Sequence, residues 1–207
     1  MDYRVKTATV YYNAGEFIKF VEDENSKPGN EERLYELIDG QIYMMSSPTS
    51  EHGLLVRFIF RVFDSYFINR NCEALFAPHD LFLYDKKRFA LFTENMDECR
   101  NVFVPDLMVI CDKRKIKKNG VHGAPDLVVE IVSPSSVRLD YITKMHNYMY
   151  FGVKEYWIVN PLTRKIMIFA SFDNKELSVL NYTFDDVVKS EIFDSLSVDF
   201  KQFVNIE

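Results

Sequence analysis

Two near-continuous apolar runs, at residues 102–111 and 126–132, constrain this chain more than any other feature. Both are rich in β-branched residues, as expected of strands covered on both faces, so their sheet needs a packed layer on each side. Each run also carries a carboxylate in its interior. Asp106 sits in Val104-Pro105-Asp106-Leu107-Met108-Val109, and Glu130 in Leu127-Val128-Val129-Glu130-Ile131-Val132. An unpaired buried carboxylate is costly, so both positions demand a partner. If the strands pair across the turn between them, the two acids lie at the same level. Two carboxylates held close repel, and one pKa rises unless a cation sits between them. Hard oxygen donors on a rigid sheet, with positions left for water and phosphate, suit Mg2+ or Mn2+. Such an ion activates a water and offsets charge developing on a phosphodiester. The plainer alternative is that either acid caps a strand end or pairs with an arginine.

The flanking pattern is mixed α and β. Asn13 followed by Glu16 predicts a capping box that opens a helix to about residue 22. Residues 23–32, with Pro28 and Gly29, read as a loop, and residues 34–45 as a hairpin around Asp39-Gly40. Ser47-Pro48 reads as the N-cap and first turn of a long helix reaching about Asn69. Leu54, Leu55, Phe58, Ile59, Val62, Phe63 and Phe67 recur along it at helical spacing. Strand signals follow at residues 74–84, then a charged hairpin excursion at 85–100 and a turn region at 112–124. A second amphipathic helix spans about residues 136–151 and stops at Gly152, well placed as the residue after its C-cap. Strands at 155–160 and 165–172 flank a turn containing Pro161, and the remainder is ambiguous. The expected architecture is one mixed α/β (α+β) domain over residues 1–207, without repeats.

On the second helix, Tyr141, Lys144 and Tyr148 share a face at i, i+3 and i+7. From that mostly apolar side Lys144 could reach a site at the strand ends and orient a water. Equally, Asp140 and Lys144 could form an ordinary i, i+4 pair on a solvated surface.

Composition narrows the function classes. At 47% hydrophobic and 15% aromatic, the chain can bury a core without disulfides or structural metals. Cys72, Cys99 and Cys111 are odd in number and far apart, which predicts reduced thiols and a cytoplasmic protein. The start lacks a signal-peptide pattern, and no run approaches about 18 apolar residues. A net charge of −6 argues against a general nucleic-acid coat protein but not against an enzyme touching DNA locally. Lys113, Arg114, Lys115, Lys117 and Lys118 put five positive charges in the turn joining the two acid-bearing strands. They could be a phosphate-contacting flap or simply a solvated loop. Lys86-Lys87-Arg88 is a weaker candidate of the same kind. His79 and His122 have no partner at metal-binding spacing, and His146 reads as an exposed helix residue. No phosphate-binding glycine loop, nucleophile elbow or HExxH motif is present.

The ordered series of short motifs resembles a family. Tyr35-Glu36-Leu37-Ile38-Asp39-Gly40, Ser47-Pro48 with His52, Pro105-Asp106, and Pro125-Asp126-Leu127-Val128-Val129-Glu130-Ile131-Val132-Ser133-Pro134-Ser135 resemble the bacterial restriction-endonuclease family of Uma type. Asp140, Lys144, Tyr148 and Gly152-Val153-Lys154-Glu155-Tyr156-Trp157-Ile158-Val159 continue the likeness, which covers roughly residues 17–169. That family belongs to the PD-(D/E)XK nucleases. The resemblance implies a restriction-endonuclease-like αβββαβ core, with the His52 helix first, an added N-terminal helix and hairpin, and extra C-terminal strands. It implies Mg2+- or Mn2+-dependent phosphodiester hydrolysis, with Asp106 and Glu130 as metal ligands. Glu36 matches a further family acid, a third ligand or a water-orienting base, and His52 a possible ligand or supporting residue. The superfamily's usual lysine stands two residues after the second acid, where this chain has Val132. Similar members supply it from the following helix, which points to Lys144. The substrate class is then DNA, with RNA open, and a homodimer is the default assembly. The alternative is a catalytically decayed nuclease fold that binds DNA or assembles without cutting. Asp126, four residues before Glu130, reads as a turn or strand-start residue.

Overall fold

The computed structural model describes residues 10–30, 33–85, 95–171 and 176–203. The capping box forms as expected: Asn13 accepts from the Glu16 amide while Glu16 accepts from the Asn13 amide, opening α1 (Ala14–Asn25). The hairpin β1 (Tyr35–Ile38) and β2 (Gln41–Met44) turns through Asp39 and Gly40, both at positive φ, as a two-residue hairpin loop requires. Helix α2 (Ser50–Phe67) starts two residues later than expected. Its N-cap is Thr49, whose side chain accepts from the His52 amide, so Ser47-Pro48 belongs to the preceding loop.

The two long strand runs are each broken by a proline. Residues 74–84 divide into β3 (Glu73–Phe76) and β4 (Leu81–Leu83) at Ala77-Pro78. Residues 102–111 divide into β5 (Asn101–Phe103) and β6 (Leu107–Ile110) at Pro105. In each case the chain passes from one sheet to another, because proline cannot donate to a central ladder. The hairpin β7 (Ile116–Lys117) and β8 (Gly120–His122) leads into β9 (Leu127–Ile131). A π-helical stretch, Leu139–Lys144, continues as α3 (Met145–Phe151) and ends at Gly152 in the left-handed region. Strands β10 (Glu155–Asn160), β11 (Lys165–Ala170) and β12 (Ser178–Thr183) follow. The hairpin β13 (Val187–Lys189) and β14 (Ser197–Asp199) resolves the ambiguous C-terminal part. Of the hairpin excursion expected at 85–100, residues 86–94 lie outside the described residues, as does Lys86-Lys87-Arg88.

One sheet runs β12-β11-β10-β9-β6-β3, with β9 and β10 parallel and its other pairs antiparallel. Its chain order with the helices is α2, β3, β6, β9, α3, β10, the expected αβββαβ core. The second sheet runs β2-β1-β5-β4-β8-β7. Strand alternation assigns the faces. Leu107, Val109, Leu127, Val129, Ile131, Trp157 and Val159 pack with Leu55, Ile59 and Phe63 of α2. Met108, Ile110, Val128, Tyr156 and Ile158 pack with Tyr148 and Phe151 of α3 and with the second sheet. Each buried large side chain contributes roughly 1.5–3 kcal/mol, enough to hold the strands that carry the site. No described helix is long and apolar enough to cross a membrane.

The cysteines depart from expectation. Cys72 and Cys111 form a disulfide across 39 residues of sequence, and Cys99 is a free, buried thiol. Pairing of Glu73 with Ile110 places the residue before β3 opposite the residue after β6, a neighbour relation invisible before the register is known.

Gly120 is fixed by its surroundings. At φ +133°, a Cβ there would lie 2.5 Å from the Asp80 carbonyl oxygen, which itself accepts from the Val121 amide. Gly120→Ala is expected to cost about 2 kcal/mol or more, read as a lowered denaturant midpoint at unchanged slope.

Candidate active site

Alternation also decides where the acids point. Residue 107 pairs with 129, so Asp106 and Glu130 stand opposite one another one step beyond the paired segment, both on the α3 side. Asp106 lies in the break after Pro105 and not inside a strand, as the sequence had suggested. Its Oδ2 accepts from the Ile131 amide at 2.7 Å and lies 3.1 Å from His52 Nε2. Burial lowers the His52 pKa, but the Asp106 carboxylate outweighs it and the net shift is upward.

Lys144 comes in from the helix, with its side chain only 4% exposed. Its Nζ lies 2.9 Å from Glu36 Oε1, 3.0 Å from Glu130 Oε1 and 4.0 Å from Asp140 Oδ1. The solvated i, i+4 pair is therefore replaced by a buried cluster. Burial alone would favour the neutral amine, yet Glu130, Glu36 and Asp140 raise its pKa and keep it charged. Tyr148 donates to Glu130 Oε1 at 2.7 Å, whereas Tyr141 faces elsewhere and accepts from Asn160. Glu36 Oε1 also accepts from the Val104 amide, which ties β1 to the break carrying Asp106.

Asp140 is the member not singled out from sequence. It is buried, accepts from Ser136 Oγ at 2.5 Å, and has its pKa raised to about 6, chiefly by burial. Its helical spacing to Lys144 and Tyr148 (i, i+4, i+8) was the available signal. The π-helical turn that holds Asp140 and Lys144 inward leaves no such trace, and such turns recur at functional sites. Glu130 is also raised, by burial first and then by Asp106, Asp140 and Glu36 against Lys144.

Four carboxylates thus converge on one buried ammonium and one histidine, an excess of negative charge. Asp106 and Glu130 each have one oxygen engaged, and their Oδ1 and Oε2 accept no hydrogen bond from the described residues. Among those residues no group of three or more acidic, histidine or cysteine side chains forms a ready-made metal cage. Two carboxylates with free oxygens nevertheless fit Mg2+, which keeps several waters and takes one or two protein carboxylates.

The position of the usual superfamily lysine is closed. Val132 is 2% exposed within an apolar cluster. The basic turn forms part of a different surface. Lys113 pairs with Glu73 and Arg114 with Asp112, while Lys115 donates to the Ala124 carbonyl. These three lie beyond the end of β6 away from Asp106, and Arg114 and Lys115 line a cavity of about 460 Å³ together with Asp126 and Lys154. Lys117 and Lys118 lie on the β7–β8 hairpin at the edge of the second sheet. Asp126 is tied to the Cys111 amide and to Lys154 Nζ, at the start of β9. His79 bonds the Phe76 carbonyl, His122 bonds Tyr84 and Asn119, and His146 stacks on Tyr150.

The Uma2 family, described as "Putative restriction endonuclease", matches residues 21–201. The chain belongs to the Uma2 family. An uncharacterized protein of Synechocystis sp. is 26% identical over 153 residues, covering 73% of this chain and 74% of that protein. A crystal structure from Anabaena variabilis, described as "a putative nuclease", superposes with a TM-score of 0.65 at 20% identity. It covers 91% of this Uma2 chain and 96% of its own. At that identity the likeness establishes a shared fold.

Proposed function

We propose that this Uma2 chain is a divalent-metal-dependent endonuclease that hydrolyses phosphodiester bonds in DNA, acting as a single nuclease-like domain and as a homodimer. The observation that carries the reading is Lys144 Nζ lying 3.0 Å from Glu130, itself opposite Asp106. The lysine role missing at Val132 is thereby available from the helix.

Asp106 and Glu130 would hold the cation. Bound there, Mg2+ or Mn2+ would lower the pKa of a water and offset charge on the phosphate. His52 and the Ile131 amide orient Asp106, and Tyr148 orients Glu130, as supporting residues do around metal ligands. Glu36 fixes Lys144, whose ammonium positions the attacking water and keeps its charge because three carboxylates face it. One site cuts one strand, so a symmetric pair would cut a duplex.

Plasmid nicking in Mg2+ or Mn2+ tests this with the wild type, Asp106→Ala and Glu130→Ala. Cleavage by the wild type alone supports it. Equal activity in all three, or none with either metal, overturns it. Buried Val132 favours a second reading, a DNA-binding module without turnover. DNA binding without any Mn2+ affinity would select that one.

A further inference from the structure

Lys144 contacts two carboxylates at once, one of them an acid assigned above to the cation. Its ammonium lies 2.9 Å from Glu36 and 3.0 Å from Glu130, with Asp140 at 4.0 Å. Every one of these side chains is buried. An ammonium held this way already supplies part of the positive charge that a divalent ion would bring. Two cations sharing one buried acid repel, and little water is present to screen them.

We propose that Lys144 is a built-in counter-ion that occupies the charge role of the metal in the metal-free protein, so that a divalent ion binds against it. Metal arrival weakens the Lys144–Glu130 ion pair and frees the ammonium toward the water side. The lysine is then released for its positioning role only when the ion is present, which keeps an empty site quiescent. This inference rests on the metal reading above and concerns how that same site is regulated.

Calorimetric titration of Mn2+ into the wild type, Asp106→Ala and Lys144→Met separates the two ideas. The expected result is at least tenfold tighter Mn2+ binding by Lys144→Met than by the wild type, with Asp106→Ala binding weakened or lost. Binding by Lys144→Met when the wild type shows none also supports the inference. Equal or weaker binding by Lys144→Met, beside a wild type that does bind, overturns the inference and leaves the metal site standing. No binding by wild type or Lys144→Met overturns both.

If Lys144→Met does not fold, Lys144→Gln removes the charge at similar length and is read the same way. Failing that, NMR of lysine labelled with ¹³C at the ε-carbon decides on the wild type. Mg2+ must move the Lys144 resonance in the wild type and leave it in place in Asp106→Ala. An unmoved resonance at saturating Mg2+ overturns the inference.

Discussion

Asp106→Ala and Glu130→Ala are each expected to lower the metal-dependent cleavage rate by about 10³-fold or more, roughly 4 kcal/mol in the barrier. The two acids stand opposite each other with one oxygen apiece left for a cation, so removing either breaks the pair. His52→Ala removes only a group that orients Asp106, and its expected loss is smaller, about 10–100-fold. That grading is the informative part. A comparable loss from His52→Ala would place the histidine among the ligands. Both acid variants must retain the wild-type circular dichroism spectrum, because Asp106 also accepts the Ile131 amide.

Lys144→Met is expected to cost about 3–5 kcal/mol of stability at neutral pH, because it strands buried carboxylates that the ammonium now compensates. The loss should shrink as the pH falls. Without Lys144, the folded-state pKa of Glu130, already raised by burial and by its acidic neighbours, rises further. A group with a raised folded pKa stabilises the fold below its unfolded pKa, and that contribution is lost as pH rises through the folded value. Asp140 shows the same sign in the wild type. Raised to about 6, it favours the folded state below about pH 4 and loses that contribution by about pH 6. Urea unfolding of wild type and Lys144→Met at pH 5 and pH 8 checks this. A difference of equal size at both would contradict the charge account.

Much of this was legible beforehand for stated reasons. The apolar runs around Asp106 and Glu130 implied a sheet covered on both faces. Pairing of the two strands across the turn was expected to bring both acids to the same level, and the register does so. The Asn13–Glu16 box, the Asp39-Gly40 hairpin and the Gly152 stop are local signals, and all three formed. What failed was non-local or masked by a stronger pattern. Pro78 and Pro105 carried a readable warning, since a central strand has no use for a residue without an N–H. The apolar residues flanking each proline obscured it. The Cys72–Cys111 bond depends on a register spanning 39 residues. Asp140 looked like half of a surface pair because a helical spacing alone cannot say which side is buried. The cations at 113–118 do lie in the turn joining the two acid-bearing strands, which leaves Lys113, Arg114 and Lys115 beyond the end of β6 opposite to Asp106.

The most direct measurement of the central claim is a crystal structure grown with Mn2+ and phased to show its anomalous scattering. The expected result is a peak contacting Asp106 and Glu130, with Lys144 shifted from Glu130. A fully occupied Mn2+ elsewhere, or none between these two acids at saturating metal, would contradict it.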